Sequence, residues 1–276
     1  MENLIKLFND WEIQMLVLLS FTLQVFLFFT GGLRQQRTKM FLRFSIWMAY
    51  LGADLVAIYA LGYLSRHMDA TVGSGTLRRN HPLAFFWAPF LLIHLGGQDT
   101  ITAFSMEDNN LWLRHLLNMM VQFVLAAYIL WKSIDRHSVD LLVSGIFVFV
   151  AGVIKYGERI WSLKYGSLEN LESSTRDHYQ LPELTVVDIP YFRTVLACMH
   201  SMVDVLDVFT NRSFSIFGSL RYDVALITRL DIELGIVYND LYTKSVVTRT
   251  KSGVILRCIS QVATVFALVM FLAADR

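Results

Sequence analysis

Chemistry in this chain starts from one carboxylate, Asp54, set in the run Leu51-Gly52-Ala53-Asp54-Leu55. An ionisable side chain among apolar residues is costly in a hydrocarbon setting, so it needs a partner or a task. It is either hydrogen-bonded or ion-paired between helices, with Gly52 and Ala53 admitting a close neighbour, or it is a proton- or ion-coupling group. A second polar cluster, His94-Leu95-Gly96-Gly97-Gln98-Asp99-Thr100, follows an apolar run, and His115 stands beside Arg114. Two imidazoles and a carboxylate are ligand types for a divalent metal, and paired glycines let backbone approach a ligand. The spacing matches no metal motif, since neither HExxH nor two histidines four apart on a helix occur. The structural alternative has Gly96 and Gly97 ending a helix and Asp99 or Thr100 capping the next turn, with Arg114 paired to Asp99, Glu107 or Asp108. No metal and no cofactor is therefore expected, and no catalytic residue is assigned. Gly73-Ser74-Gly75 and Gly157-Glu158 are not followed by the Gly-Lys-Ser/Thr of a phosphate loop.

The elements that must carry these residues are set by composition. Hydrophobic residues make up 55% of the chain and charged ones only 17%, outside the range of a water-soluble domain. A net charge of +1 gives no reason to expect a nucleic-acid partner. Two cysteines, Cys198 and Cys258, make no disulfide framework. A helix needs about 20 apolar residues to cross a bilayer core, and five runs satisfy this, near 11–30, 41–64, 111–131, 139–155 and 254–273. The first, too long for a cleavable signal, reads as a signal anchor. Arg257, the charge inside the last, is expected to snorkel to the surface. A sixth segment, 81–97, is shorter and carries Pro89; it is a kinked span or a re-entrant one, and the span is favoured. The expected fold is thus all-α: a polytopic membrane helical bundle of five or six transmembrane helices, bundle 1–155, a cytosolic helical insert 156–253, and a last helix 254–276.

Arg34, Arg37, Lys39 and Arg43 form the densest basic cluster in a short loop, which places 31–40 in the cytosol and the N-terminus outside. The sequon Asn211-Arg212-Ser213 then lies in the cytosol, unmodified. Within the insert, two stretches near 192–209 and 224–244 have helical apolar stripes. In the second, Ile227, Leu230, Leu234, Val237 and Leu241 face one way and Arg229, Glu233, Asp240 and Lys244 the other. Two such stripes either bury one another or offer a surface for self-association or a protein partner.

The strings Trp11-Glu12-Ile13-Gln14, His81 to Phe90 (HPLAFFWAPF), His94 to Phe104 (HLGGQDTITAF), Tyr156-Gly157-Glu158-Arg159 with Trp161, and Glu233-Leu234-Gly235 with Leu241 to Lys244 together resemble the plant membrane proteins grouped as domain of unknown function 4220. The resemblance covers almost the whole chain and marks Gly96, Gly97, Tyr156, Gly157, Glu158 and Arg159 as family hallmarks without assigned roles. The family pattern has Thr where this chain has Ile160. Family members continue well past this length, which implies a shortened chain or a short paralogue. The resemblance implies a multi-pass plant membrane protein and leaves the chemistry open. Three functions follow as expectations. The first is a scaffold or regulatory component of the plasma membrane or an endomembrane, working through helix contacts. The second is a transporter or channel using Asp54, His94 to Asp99 and His115. The third, least favoured, is a metal-dependent enzyme using His94, Asp99 and His115.

Overall fold

A computed structural model describes residues 2–35, 39–70, 84–134, 139–170 and 224–274. Five helices in it are long and apolar enough to cross a membrane. In chain order the helices are α1 (Glu2–Thr30), α2 (Met40–Ala70), α3 (Ala84–Leu95), the short α4 (Met106–Asn110), α5 (Trp112–Ser133), α6 (Val139–Tyr165), α7 (Val224–Tyr242), the short α8 (Ser245–Arg249) and α9 (Lys251–Ala274), with a 3-10 turn at Gly31–Gln35. The stretch 192–209 lies outside the described residues, as does the sequon.

Large apolar side chains point outward along α1, α2 and α9: Phe29 is 71% exposed, Phe41 81% and Val262 68%. A protein in water does not leave such a continuous surface bare, so lipid is its solvent. Inward-facing residues are smaller. Ala57, Ala60, Ala88 and Ala126 are fully buried in one core with Leu61, Leu91 and Ile129. Small residues bring helices close enough for dispersion to hold them, which matters in lipid, where burial against apolar tails gains little. Helix α6 is the centre of the bundle, packed on α3, α5 and α9. Serine hydroxyls reinforce it: Ser144 donates to Ala267 O at 2.7 Å and Ser162 to Thr243 O at 2.6 Å.

The third apolar segment is built differently from the five long helices. Helix α3 has 12 residues, about 18 Å at 1.5 Å per residue, too short for a hydrocarbon core of about 30 Å. The non-helical segment 96–105 continues it along the bundle. Phe85, near the start of α3, shares a core with Ile13 and Leu64, whereas Ala103 and Phe104 are held by Arg34, at the far end of α1. Irregular backbone packed against a membrane bundle survives only if the surrounding protein satisfies it. Here Thr102 N donates to Tyr242 O at 2.9 Å, Lys244 N to Asp99 O at 3.1 Å and Tyr50 OH to Thr102 O at 3.2 Å. Arg34 donates to Ala103 O and Phe104 O at 2.8 and 2.7 Å.

Two boundaries differ from expectation for one reason. The fourth clear run ends at Lys155, yet α6 continues unbroken to Tyr165, so Tyr156 to Arg159 belong to the bundle rather than to the insert. Their charges end a hydropathy window but are tolerated at depth because each has a partner there. Similarly, α7 stops at Tyr242, and Asp240 and Lys244, expected on an outward polar face, are 4% and 1% exposed, whereas Leu234 of the expected inward stripe is 52% exposed. Val237 and Leu241 do face inward. Asp240 turns inward because Arg249 and Ser245 Oγ reach it at 3.0 and 2.7 Å.

Candidate functional site

Helix α3 ends where its sequence says it should. Gly96 N bonds back to Ile93 O at 3.1 Å and Gly97 N to His94 O at 2.9 Å, with Gly97 in the left-handed region at φ 66°. A Cβ on Gly96 would stand 2.9 Å from the Lys155 carbonyl carbon, so the absent side chain is what lets the chain turn against α6. A Cβ on Gly97 would touch the Arg159 side chain at 3.6 Å. The turn thus delivers its backbone to a guanidinium.

That guanidinium organises the site. Arg159 is 2% exposed and grips Asp54 with both terminal nitrogens, at 2.7 and 2.8 Å, while NH1 also donates to Leu95 O at 2.9 Å. Tyr50 lies beneath it, with its ring centroid 5.5 Å from Cζ. One side chain of α6 therefore ties α2 to the end of α3. Two parallel charge-assisted bonds fix orientation as well as distance, and a lysine, with its single-point ammonium, cannot reproduce them. His115 of α5 is within electrostatic range of both Asp54 and Arg159, and its Nε2 is buried with no hydrogen-bond partner among the described residues.

Beside this pair lies a second charged cluster. Asp99 meets Arg257 at 2.9 Å and Lys244 at 3.6 Å, and Glu158 lies 3.7 and 3.8 Å from the same two cations. Lys244 also donates to Lys155 O at 3.3 Å. Burial pulls the Lys244 ammonium down to about 8, against the raising influence of Asp99 and Glu158. Arg257, 28% exposed, reaches the half-exposed Asp99.

On the α1 side the turn makes neutral contacts. Ser20 Oγ and His94 Nδ1 share a 2.8 Å hydrogen bond, Gln24 donates to His94 O at 2.9 Å, and Gln98 donates to Gln24 Oε1 at 3.0 Å. The next helix is capped by neither Asp99 nor Thr100. Ser105 stands at its N-cap and Asp108, in its first turn, closes the capping box by accepting from the N–H groups of Phe104 and Ser105 at 2.8 and 3.1 Å. With Asp99 engaged by Lys244 and Arg257 and Asp108 by backbone, Arg114 pairs with neither; Glu107 is fully exposed and takes a hydrogen bond from Ser105. No group of three His, Cys, Asp or Glu stands close enough to hold a metal ion among the described residues.

Asp54, His94, Gln98 and Asp99, singled out from the sequence, are thus gathered around the same turn, with His115 nearby. Arg34, Lys244 and Arg257 were not among them. Arg34 looks like a solvated loop cation, yet its guanidinium lies 4.4 Å from the Phe104 centroid and 4.8 Å from that of Tyr242. Nothing in its local sequence signals this, because its partners lie far along the chain.

These features define a polytopic all-α membrane protein whose short third apolar helix ends at a glycine pair and is pinned by ion pairs. Its family is shown by sequence: the model of the domain of unknown function DUF4220 matches residues 47–201 and 191–276, and the chain belongs to that family. No curated protein and no solved structure matches it.

Proposed function

We propose that the protein is a non-enzymatic scaffold or regulatory component of a plant plasma membrane or endomembrane, acting through helix contacts. The observation that supports this reading is the state of Asp54. A coupling carboxylate must exchange protons or ions in each cycle, whereas Asp54 is in two-point contact with a buried guanidinium at 2.7 and 2.8 Å, an arrangement suited to holding helices. The end of the bundle carrying Arg34 and α7 faces the cytosol in this reading, and Leu234 of α7 is turned outward as a contact residue. A photo-crosslinking amino acid at position 234, activated in native membranes, tests it. The same protein partner, or a second copy, is expected in repeated preparations. Lipid adducts alone, with no protein contact through 192–244, would count against it.

A transporter is the second reading, favoured by the broken third segment with its run of Ser20, Gln24, His94 and Gln98, since unwound backbone within a bundle is where transporters bind their substrates. Asp54→Asn separates the two. A folded protein that has lost flux in proteoliposomes supports transport, and loss of folded protein supports the clamp.

A further inference from the structure

A cleft of about 540 Å³ runs between α6 and α9, and its walls change character along the helices. At one end stand Asp99, Lys155, Glu158 and Arg257. Further along, the walls are Ile93, Ala151, Thr264 and Val265, with Ser260 and Gln261 between. Arg257 to Val265 covers roughly 12 Å at 1.5 Å per residue. Charged at one end, apolar at the other and open at the outward-facing Thr264 and Val265, the cleft has the polarity of an amphiphile.

The charged end is unbalanced in two ways. Asp99 and Glu158 are shared by Lys244 and Arg257, and Lys155 adds a third cation that forms no ion pair among the described residues. One positive charge is left over on the cleft wall. Glu158, 4% exposed, has the opposite want: its Oε1 is buried and accepts no hydrogen bond among the described residues. The surplus cation calls for an anion and the orphan oxygen for an N–H or O–H donor.

We propose that this cleft binds an anionic phospholipid whose headgroup carries hydroxyls, of the phosphatidylglycerol or phosphatidylinositol kind. Its phosphate lies against Lys155 and Arg257, a headgroup hydroxyl donates to Glu158 Oε1, and an acyl chain follows the Ala151 and Val265 wall. A single net negative charge cancels the surplus. Phosphatidylethanolamine supplies a donor but no net charge, and phosphatidylcholine supplies neither.

Native mass spectrometry of the full chain, released from micelles holding equal amounts of phosphatidylglycerol, phosphatidylethanolamine and phosphatidylcholine, tests this. One retained phosphatidylglycerol is expected, preferred over phosphatidylcholine by roughly tenfold, the equivalent of one good charge-assisted contact. Lys155→Gln should abolish the preference. Because that variant alters a half-buried residue packed against the Gly96 turn, Thr264→Trp provides an independent arm. Thr264 is exposed and its hydroxyl bonds only within its own helix, to Ser260 O, so an indole there should block the cleft and release the lipid from a folded protein. Equal retention of the three lipids, or retention unchanged in Thr264→Trp, would overturn the proposal. Displacement of the lipid by glycerol 3-phosphate at equal concentration would overturn the lipid assignment in favour of a soluble phosphate ester.

Discussion

Two ion-pair clusters lie side by side in this bundle and are built to different standards. At Asp54 and Arg159, both terminal nitrogens of the guanidinium meet both carboxylate oxygens and NH1 also donates to Leu95 O, while Nε is buried with no partner among the described residues. At Asp99, Glu158, Lys244 and Arg257, only the Asp99–Arg257 contact is as short as 2.9 Å, Asp99 is 53% exposed, and Glu158 keeps an orphan oxygen. The first is a two-point joint in which both carboxylate oxygens are met at short range. The second is loose, partly wet and unbalanced, and there a ligand can still gain something. Neighbouring charges in one membrane protein therefore need not share a purpose: short two-point pairing marks the clamp, and long, shared contacts with a surplus charge mark the site.

The sharpest way to break this contrast is to remove Arg159. Arg159→Met leaves Asp54 without its cation and should cost about 3–5 kcal/mol, as expected for halving a buried pair. It should be seen as loss of monodisperse protein on heating in detergent. Adding Asp54→Leu should restore most of this, because well-packed apolar replacements of a buried pair are often neutral. The unrestored part is the Leu95 carbonyl, about 1–3 kcal/mol for a buried acceptor left unpaired. Next in size is the turn. Gly96→Val must push α3 off α6 or strain both and should lower thermal stability more than Gly97→Ala, whose left-handed backbone costs about 1–2 kcal/mol.

Lys244 probes the looser cluster by pH. An unfolded lysine keeps its proton up to about 10.5, whereas Lys244 releases it near 8. Between those values the folded chain binds fewer protons, so stability rises with pH across that window. Comparison of the wild type with Lys244→Met at pH 7 and pH 10 should show the wild type gaining up to about 3 kcal/mol relative to the variant. No relative change would mean that Lys244 is hydrated rather than buried. Smallest is Asp99→Asn. Half exposed and sharing its cations with Glu158, Asp99 should contribute no more than about 1 kcal/mol, measurable as a shift of a degree or two in unfolding temperature.

Much of the architecture was legible because hydropathy is a local property. A run such as 254–273 declares itself a span whatever it packs against. The glycine-ended helix was legible for the same reason, since Gly96-Gly97 is a local instruction. The partners were not. Asp54 and Arg159 stand 105 residues apart, and no spacing rule connects them. Lys244 and Asp240 fit a solvated helix face until the chain turns at Thr243 and folds them under α6 and α8. The end of α6 was misplaced because a window that counts Glu158 and Arg159 as charges cannot see that they are neutralised.

The central claim is that Asp54 and Arg159 form one energetic unit fastening α2 and the end of α3 to α6. A double-mutant cycle with Asp54→Asn and Arg159→Met, read by thermal unfolding in detergent, tests it most directly. A coupling energy of about 2–3 kcal/mol, at the upper end for residues in direct contact, is the result this account predicts. Single effects that simply add, leaving a coupling below about 0.5 kcal/mol, would contradict it.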